Sequence, residues 1–430
     1  MAEVIGVGLL GCGIVGSAVA RILDAHVEEV SERVGARLEV RRVAVKDLGK
    51  KRDTPLDPAI FTTKPSEVVS DPEVGIVVEV MGGIEPARTL MIEAMGRGKH
   101  VVTANKELLS THGKDLFDAA EHAGVDLYFE ASVAGGIPII RPLKESLAGE
   151  RITRVMGIVN GTTNYILTRM SEEALDFNSA LADATRLGYS ELDPTADIEG
   201  FDAAAKLAIL SSIAFNARVV ASDVYREGIS SVTARDIAYG HQLGYEVKLL
   251  AIGEKVGGEV SVRVHPAMIP KHHPLASVRE NLNAVFVEGE QVGELMFLGR
   301  GAGGPPTGTS VVGDLVEVAR NMVSGGRGPG CTCYRDDARI RSMDQTMSQH
   351  YILLEVFDRP GVLAEVARSF ADHNVSIKSL WQEGYGDEAS LVMVTHSAVE
   401  HDVRELLRSL EKLESVDEVA ASMRVQSSDE

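Results

Sequence analysis

Val4-Ile5-Gly6-Val7-Gly8-Leu9-Leu10-Gly11-Cys12-Gly13-Ile14-Val15-Gly16 runs from an apolar, β-branched stretch into a glycine-spaced turn, and Ser17-Ala18-Val19-Ala20-Arg21-Ile22-Leu23 continues with helical spacing. A strand, a G-x-G-x-x-G loop and a helix in that order are the context in which this motif has meaning. Gly11 permits the tight turn, Gly13 lets backbone approach a pyrophosphate, and Gly16 lets the helix pack closely on the sheet. The free N–H groups at the helix start, at Ile14 and Val15, face the anion. The competing reading is a glycine-rich connection with no ligand. The strand–helix context favours a dinucleotide.

Further apolar runs at 38–45, 75–80, 100–103 and 125–129 are separated by amphipathic stretches at 14–33, 86–98 and 111–123. Strands alternating with helices at this spacing predict an α/β, Rossmann-like doubly wound sheet over residues 1–130. From residue 152 the pattern changes. Residues 247–269, VKLLAIGEKVGGEVSVRVHPAMI, predict antiparallel hairpins turning at Gly257-Gly258, in a mixed α+β domain over 131–325 that carries catalysis and dimerisation. These hairpins show no second layer in the sequence. A glycine-rich loop and a helix close that domain, and 326–349, polar and without periodicity, predicts a linker. Residues 350–430 read β-α-β-β-α-β, the ferredoxin-like order, in a module able to fold alone.

The 430 residues are 44% hydrophobic and 25% charged, which fits an ordinary globular protein of two or three domains. Lys and Arg number 43 against 63 Asp and Glu, and a net charge of −20 predicts no nucleic-acid partner and no anionic membrane surface. Cys12, Cys331 and Cys333 are too few and too badly spaced for a disulfide framework or a four-ligand zinc site, which points to a reducing cytoplasm. No apolar run approaches the ~20 residues of a membrane span, and the N-terminus lacks the basic start of a signal peptide.

Past the second predicted strand stands Val45-Lys46-Asp47-Leu48-Gly49-Lys50-Lys51-Arg52. Asp47 suits a ribose hydroxyl, whereas Lys46 and Arg52 suit a 2′-phosphate, so NADP is favoured and NAD stays open. Further on, Asp202 and Lys206 lie i,i+4 on a predicted helix that is apolar almost all round. An exposed ion pair is the bland reading. A desolvated lysine held by a carboxylate is the sharper one, because its tunable pKa suits proton transfer to a substrate oxygen. Glu191, Asp193 and Asp197 just before it suit an ammonium group.

The run Ala184-x-x-x-Gly188-Tyr189-Ser190-x-x-Asp193-Pro194-x-x-Asp197-Ile198-x-Gly200-x-Asp202-x-x-x-Lys206 resembles the signature of homoserine dehydrogenases at every fixed position. Thr103-Ala104-Asn105-Lys106, Val159-Asn160-Gly161-Thr162-Thr163-Asn164, the loop from Glu130 to Pro138 and Gly299-Arg300-Gly301-Ala302-Gly303-Gly304 are similar too. The C-terminal module resembles the ACT domain of the longer bacterial form. The resemblance implies reversible, NAD(P)-dependent interconversion of L-aspartate 4-semialdehyde and L-homoserine. It makes Lys206 the acid/base, with Asp202 orienting the chemistry and Lys106 a second cation near the substrate oxygen. It puts Glu191, Asp197, Gly161 and Thr162 at the substrate, and Thr103, Lys106 and Gly303 at the nucleotide. It also implies a monovalent cation, Na⁺ or K⁺, on Glu130 and the carbonyls of Val133, Gly135 and Ile137.

Competing enzyme classes fail on chemistry. An acylating semialdehyde dehydrogenase needs a thiolate, and no cysteine is placed for it. Zinc alcohol dehydrogenase chemistry lacks ligand spacing. A non-catalytic nucleotide-binding amino-acid sensor would need a decayed site, yet Lys106, Glu191, Asp202 and Lys206 are all present. For the ACT-like module the expectation is L-threonine as feedback inhibitor, held near Gly361 and Asn374. The alternative is a module that serves assembly alone; a homo-oligomer, a dimer or tetramer, is expected under either reading.

Overall fold

The computed structural model describes residues 3–334, 336–384 and 389–426. In chain order the first part runs β1 (Val4–Leu10), α1 (Ile14–Ala25), α2 (Val27–Val34), β2 (Arg37–Ala44), β3 (Phe61–Thr62), α3 (Pro65–Ser70), β4 (Ile76–Glu79), α4 (Ala87–Gly96), β5 (His100–Thr103), α5 (Lys106–Ala123) and β6 (Leu127–Tyr128). The strands pair in parallel in the order β3-β2-β1-β4-β5-β6. That is the expected doubly wound sheet, and its order reverses between β1 and β4, where such sheets open a crevice beyond the carboxyl ends of the strands. Two helices depart from expectation. The one read over 14–33 breaks at His26 (φ −119°, ψ 29°), and its second piece ends on Gly35 at φ 83°. α5 begins at Lys106 rather than at 111, because the Asn105 side chain accepts the Leu108 N–H at 3.1 Å and caps it.

The second part runs β7 (Ile152–Ile158), α6 (Gly161–Glu173), α7 (Phe177–Arg186), α8 (Thr195–Ile198), α9 (Phe201–Phe215), β8 (Tyr225–Arg226), α10 (Ala234–Gln242), β9 (Tyr245–Val256), β10 (Glu259–Pro270), β11 (Leu282–Gly289), β12 (Gly293–Arg300) and α11 (Gly304–Val323). β9 and β10 form the expected hairpin, with Gly257 and Gly258 at φ 59° and 86° in the turn. It does have a second layer within the chain: α6, α9 and α10 pack on it. The sequence hid this layer because α9 is apolar all round and shows no face.

α11 was expected to belong with residues 131–325, but it returns to the first sheet. Its stripe Val311, Leu315 and Val318 is buried in one cluster with Val7, Leu9 and Val19, and a Cβ on Gly308 would lie 3.0 Å from that of Ala18. Small residues on both helices allow that approach. The stretch read as a linker is likewise packed down: Tyr334 is 2% exposed and stacks on Phe117 with ring centroids 4.5 Å apart. Cys331 and Cys333 are joined in a disulfide there, a pairing the sequence reading did not anticipate.

The C-terminal module runs β13 (Met347–Val356), α12 (Val362–Asp372), β14 (Ile377–Glu383), β15 (Ala389–Thr395), β16 (Ala398–Val399), α13 (Glu400–Leu410) and β17 (Val416–Val425). Its strands order β17-β13-β15-β14, the ferredoxin-like arrangement. It is not a bead on a string. β17 pairs in parallel with β10 at Ala267 and Met268, so module and second domain share an 11-stranded sheet. Among the described residues, no helix is long and apolar enough to cross a membrane.

Candidate active site

Gly11 directly follows β1 at φ 103°, and a Cβ there would lie 2.9 Å from the Val80 carbonyl carbon. A Cβ on Gly16 would lie 2.4 Å from the Gly11 oxygen, whereas one on Gly13 would meet nothing within 4 Å. Gly13 is also the N-cap of α1, and no side chain caps that end. The loop is closed where the chain packs on itself and open where helix amides face outward, which fits a pyrophosphate. Ile14, 77% exposed, and Val15 line a cleft of about 780 Å³ that also reaches Gly303. Gly303, at φ 113°, turns the chain into α11, and Gly304 packs against Ile14.

Thr103 does not reach the cleft. It is fully buried, and its hydroxyl donates to Glu79 at 2.7 Å, while Glu79 accepts the Met81 and Gly82 amides at 2.9 and 3.0 Å. It shapes the crevice from behind, and Ala104 and Asn105 line it instead. Arg52 braces the glycine loop: its guanidinium donates to the carbonyls of Cys12, Asp47 and Lys50 at 3.2, 2.7 and 2.8 Å. Lys46 is exposed on the same turn. The Asp47 carboxylate is occupied by the Gly49 amide at 2.7 Å.

At the other end of the cleft, Gly200 at φ 77° ends the acidic loop and starts α9. Lys206 Nζ donates to Asp202 Oδ2 at 2.6 Å and to the Val159 carbonyl at 2.7 Å. Asp202 Oδ1 stands 3.3 Å from Lys106 Nζ, brought there by the first turn of α5. An ammonium carries three donors, so Lys206 keeps one for a ligand. Its side chain is 11% exposed, against 43% for that of Lys106. Burial alone would raise the Asp202 carboxyl, but Lys206, Lys106 and Asn160 outweigh it and hold the group at about 2. Burial wins at Asp197: its carboxyl is raised despite the Asn160 hydrogen bond, and the Asp202 charge adds to the effect.

Gly161 opens α6 so close to Asn281 that a Cβ would lie 2.8 Å from its carbonyl oxygen. The Thr162 hydroxyl donates to the Tyr189 carbonyl at 2.6 Å. Gly161, Thr162, Glu191 and Asp197 line the same cleft as Lys106, Asp202 and Lys206. Asn160, which the sequence reading quoted but gave no role, is the hub: Nδ2 donates to Asp197 at 2.6 Å and to Asp202 at 2.9 Å, while Oδ1 caps α6 at the Thr163 N–H, 2.9 Å. Arg300 was likewise quoted without a role, and Asn283 was missed altogether. Both line the cleft, and Asn283 Oδ1 is buried without a partner.

Glu130 is 5% exposed, and its carboxylate accepts the Ile139, Ile140 and Arg141 amides at 2.6, 2.8 and 2.9 Å. The Gly135 carbonyl accepts the Ser310 hydroxyl at 2.7 Å. Hard oxygens on a buried loop suit a monovalent cation. Two amides fill Glu130 Oε1, so Oε2 is the carboxylate oxygen with acceptor capacity to spare. In the C-terminal module Gly361, at φ 105°, precedes α12 and Asn374, at φ 57°, follows it. The helix between them is about 16 Å long at 1.5 Å per residue, so one chain does not present both residues to one small ligand. Asn374 instead borders a shallow pocket with Phe370, Ser376 and Ile377.

Three family models match successive parts of the chain. A family model described as "Homoserine dehydrogenase, NAD binding domain" matches residues 11–130, one described as "Homoserine dehydrogenase" matches 138–316, and one described as "ACT domain" matches 350–415. The homoserine dehydrogenase of Corynebacterium glutamicum is 48% identical over 423 residues, covering 96% of this chain and 95% of that protein. The crystal structure of a homoserine dehydrogenase from Thiobacillus denitrificans superposes with a TM-score of 0.93 at 41% identity, covering 99% of this chain and 98% of that one. A hyperthermophilic archaeal homoserine dehydrogenase in complex with NADPH matches with a TM-score of 0.64 at 28% identity, covering 76% of this chain and 100% of that one.

Proposed function

This chain belongs to the homoserine dehydrogenase family and is an NAD(P)-dependent oxidoreductase, and from that premise we propose how its own residues carry the interconversion of L-aspartate 4-semialdehyde and L-homoserine. The nicotinamide nucleotide, when bound, supplies or accepts the hydride. Lys206 donates its remaining proton to the aldehyde oxygen during reduction and takes it back during oxidation. Asp202 stays anionic and holds Lys206 in place. Lys106 adds a second positive charge beside the oxygen on which charge develops. Glu191 and Asp197 receive the substrate ammonium, with Gly161 and Thr162 beside it. The observation that supports this reading is the meeting of both lysines on Asp202 inside the cleft that also reaches the glycine loop.

NADP is the proposed cofactor, because Arg52 and Lys46 put positive charge on the turn where a 2′-phosphate would lie. A monovalent cation on Glu130 Oε2 and the carbonyls of Val133, Gly135 and Ile137 would order the loop between the two domains. L-threonine is the proposed inhibitor, acting on the ACT module at Asn374 and Gly361 of a homo-oligomer in the cytoplasm. The substrate assignment is tested by homoserine oxidation: Asp197→Asn and Glu191→Gln should each raise KM for homoserine about tenfold or more, with KM for NADP unchanged. Unchanged KM for homoserine, or equal effects on both, would overturn it.

A further inference from the structure

Asp197 and Asp202 are separated by four residues, 198–201, and it is this spacer that β8 and the turn following it hold. The Ile229 N–H donates to the Ile198 carbonyl at 2.8 Å. Arg226 donates to the Glu199 carbonyl at 3.3 Å, and Ser230 donates to the Glu199 carboxylate. The Glu227 carbonyl oxygen lies 3.6 Å from where a Gly200 Cβ would stand. The Arg226 guanidinium sits 3.4 Å over the Phe201 ring. At Gly228 the two segments are so close that a Cβ would lie 2.5 Å from Glu199 Oε2 and 2.6 Å from the Ile198 oxygen. The turn is a splint against the stretch that spaces the two carboxylates.

The splint is anchored in its own domain, where β8 pairs with β10 and the Glu227 N–H donates to the Val264 carbonyl at 2.8 Å, and outside that domain as well. Glu227 accepts two parallel bonds from Arg424, Nη1 to Oε2 at 2.8 Å and Nη2 to Oε1 at 3.0 Å. Arg424 is the penultimate residue of β17, its side chain 6% exposed, and it is gripped from its own module by Glu400. The same residue carries the backbone pairing of β17 to β10. A bidentate pair with its guanidinium buried fixes orientation as well as distance. A shift of β17 therefore moves Glu227, and Glu227 moves with the splint.

We propose that Arg424 is a positioning residue for the substrate site, acting through Glu227 and the 226–230 turn on the spacing of Asp197 and Asp202. The inference rests on the reading of those two carboxylates as substrate-side groups. It makes the C-terminal module part of the substrate site's support even with no effector bound.

The test uses the full chain and three variants. Arg424→Met removes the anchor. Glu227→Gln leaves Arg424 and Glu400 paired, which keeps the question answerable where Arg424→Met does not fold. Gly228→Ala leaves the ion pair intact and presses the splint off Ile198. Each should raise KM for homoserine by roughly 3- to 30-fold, the range of couplings carried through packed networks, while kcat changes less than about threefold and KM for NADP stays put. Amide exchange of the ligand-free enzyme should quicken over residues 196–202 and at Ile229. Unchanged exchange there in the folded variants would overturn the proposal, whatever KM does. Faster exchange with unchanged KM for homoserine would overturn the substrate reading on which it rests, and separates that failure from the first.

Discussion

Two alanine substitutions in the glycine loop separate packing from nucleotide binding. In Gly16→Ala the new Cβ would lie 2.4 Å from the Gly11 oxygen, 3.2 Å from its carbonyl carbon and 3.4 Å from Val80 Cγ2. The nearest obstacle is backbone, so relief requires α1 to move off β1. Overpacking of this kind costs about 1–3 kcal/mol, which lowers the melting temperature by about 3–10 °C for a domain of this size. In Gly13→Ala the Cβ meets nothing within 4 Å, so stability should stay within about 0.5 kcal/mol of the parent. The added methyl stands instead where a pyrophosphate approaches the helix amides, and NADPH affinity should fall tenfold or more, about 1.4 kcal/mol. Thermal unfolding without nucleotide and fluorescence titration with NADPH measure the two effects. A Gly13→Ala protein that melts and binds like the parent would refute the assignment of this loop to the pyrophosphate.

The folded-state carboxyl of Asp202 lies at about 2 against an ordinary 3.8, so its ion pairs contribute stability that is present above pH ~4 and lost as pH falls through ~2. The urea stability of the parent relative to Asp202→Asn should accordingly shrink by about 2 kcal/mol between pH 4.5 and 2, and a pH-independent difference would count against the coupling. Arg52→Glu should raise KM for NADPH more than KM for NADH, and equal effects would remove the case for a 2′-phosphate contact. Asn374→Ala should abolish inhibition by millimolar L-threonine while leaving uninhibited turnover intact, and inhibition equal to the parent's would place the threonine site elsewhere. Removing the module altogether is a poorer experiment, because it uncovers the β10 edge and takes Arg424 away with it.

Contacts between neighbours in sequence were readable from the residues themselves, whereas of the contacts across the chain only those the family resemblance implied, such as Lys106 beside Asp202 and Lys206, were foreseen. The strand–glycine–helix unit at 4–25, the Gly257-Gly258 hairpin and the Asp202–Lys206 spacing are local, and the structure holds each as expected. The return of α11 to the first sheet depends on residues about 300 positions from β1, and its amphipathic stripe does not say which sheet it faces. Asn160 shows the same limit within one side chain. Its cap on α6 is written three residues away, but its bonds to Asp197 and Asp202 span 37 and 42 residues. Thr103 had the right type and place in the motif, yet its hydroxyl faces Glu79, and only the parallel pairing of β4 and β5 sets that direction. Burial of a lysine was no guide by itself. Lys248 is 4% exposed, as hidden as Lys206, but it donates to the Val278 carbonyl and to Asn164 in the interior, and burial lowers it to about 8. What marks Lys206 is the cleft and the second lysine, Lys106, on the same carboxylate.

The most direct measurement of the catalytic assignment is steady-state oxidation of L-homoserine by Lys206→Ala, with NADP affinity measured in parallel on the same folded protein. Loss of a general acid/base lowers turnover by about 10²–10⁴-fold, equivalent to about 3–5 kcal/mol of transition-state stabilisation. Turnover should fall by that much with NADP binding unchanged, since Lys206 stands at the substrate end of the cleft. A folded Lys206→Ala enzyme that turns over homoserine within about threefold of the parent would contradict the assignment.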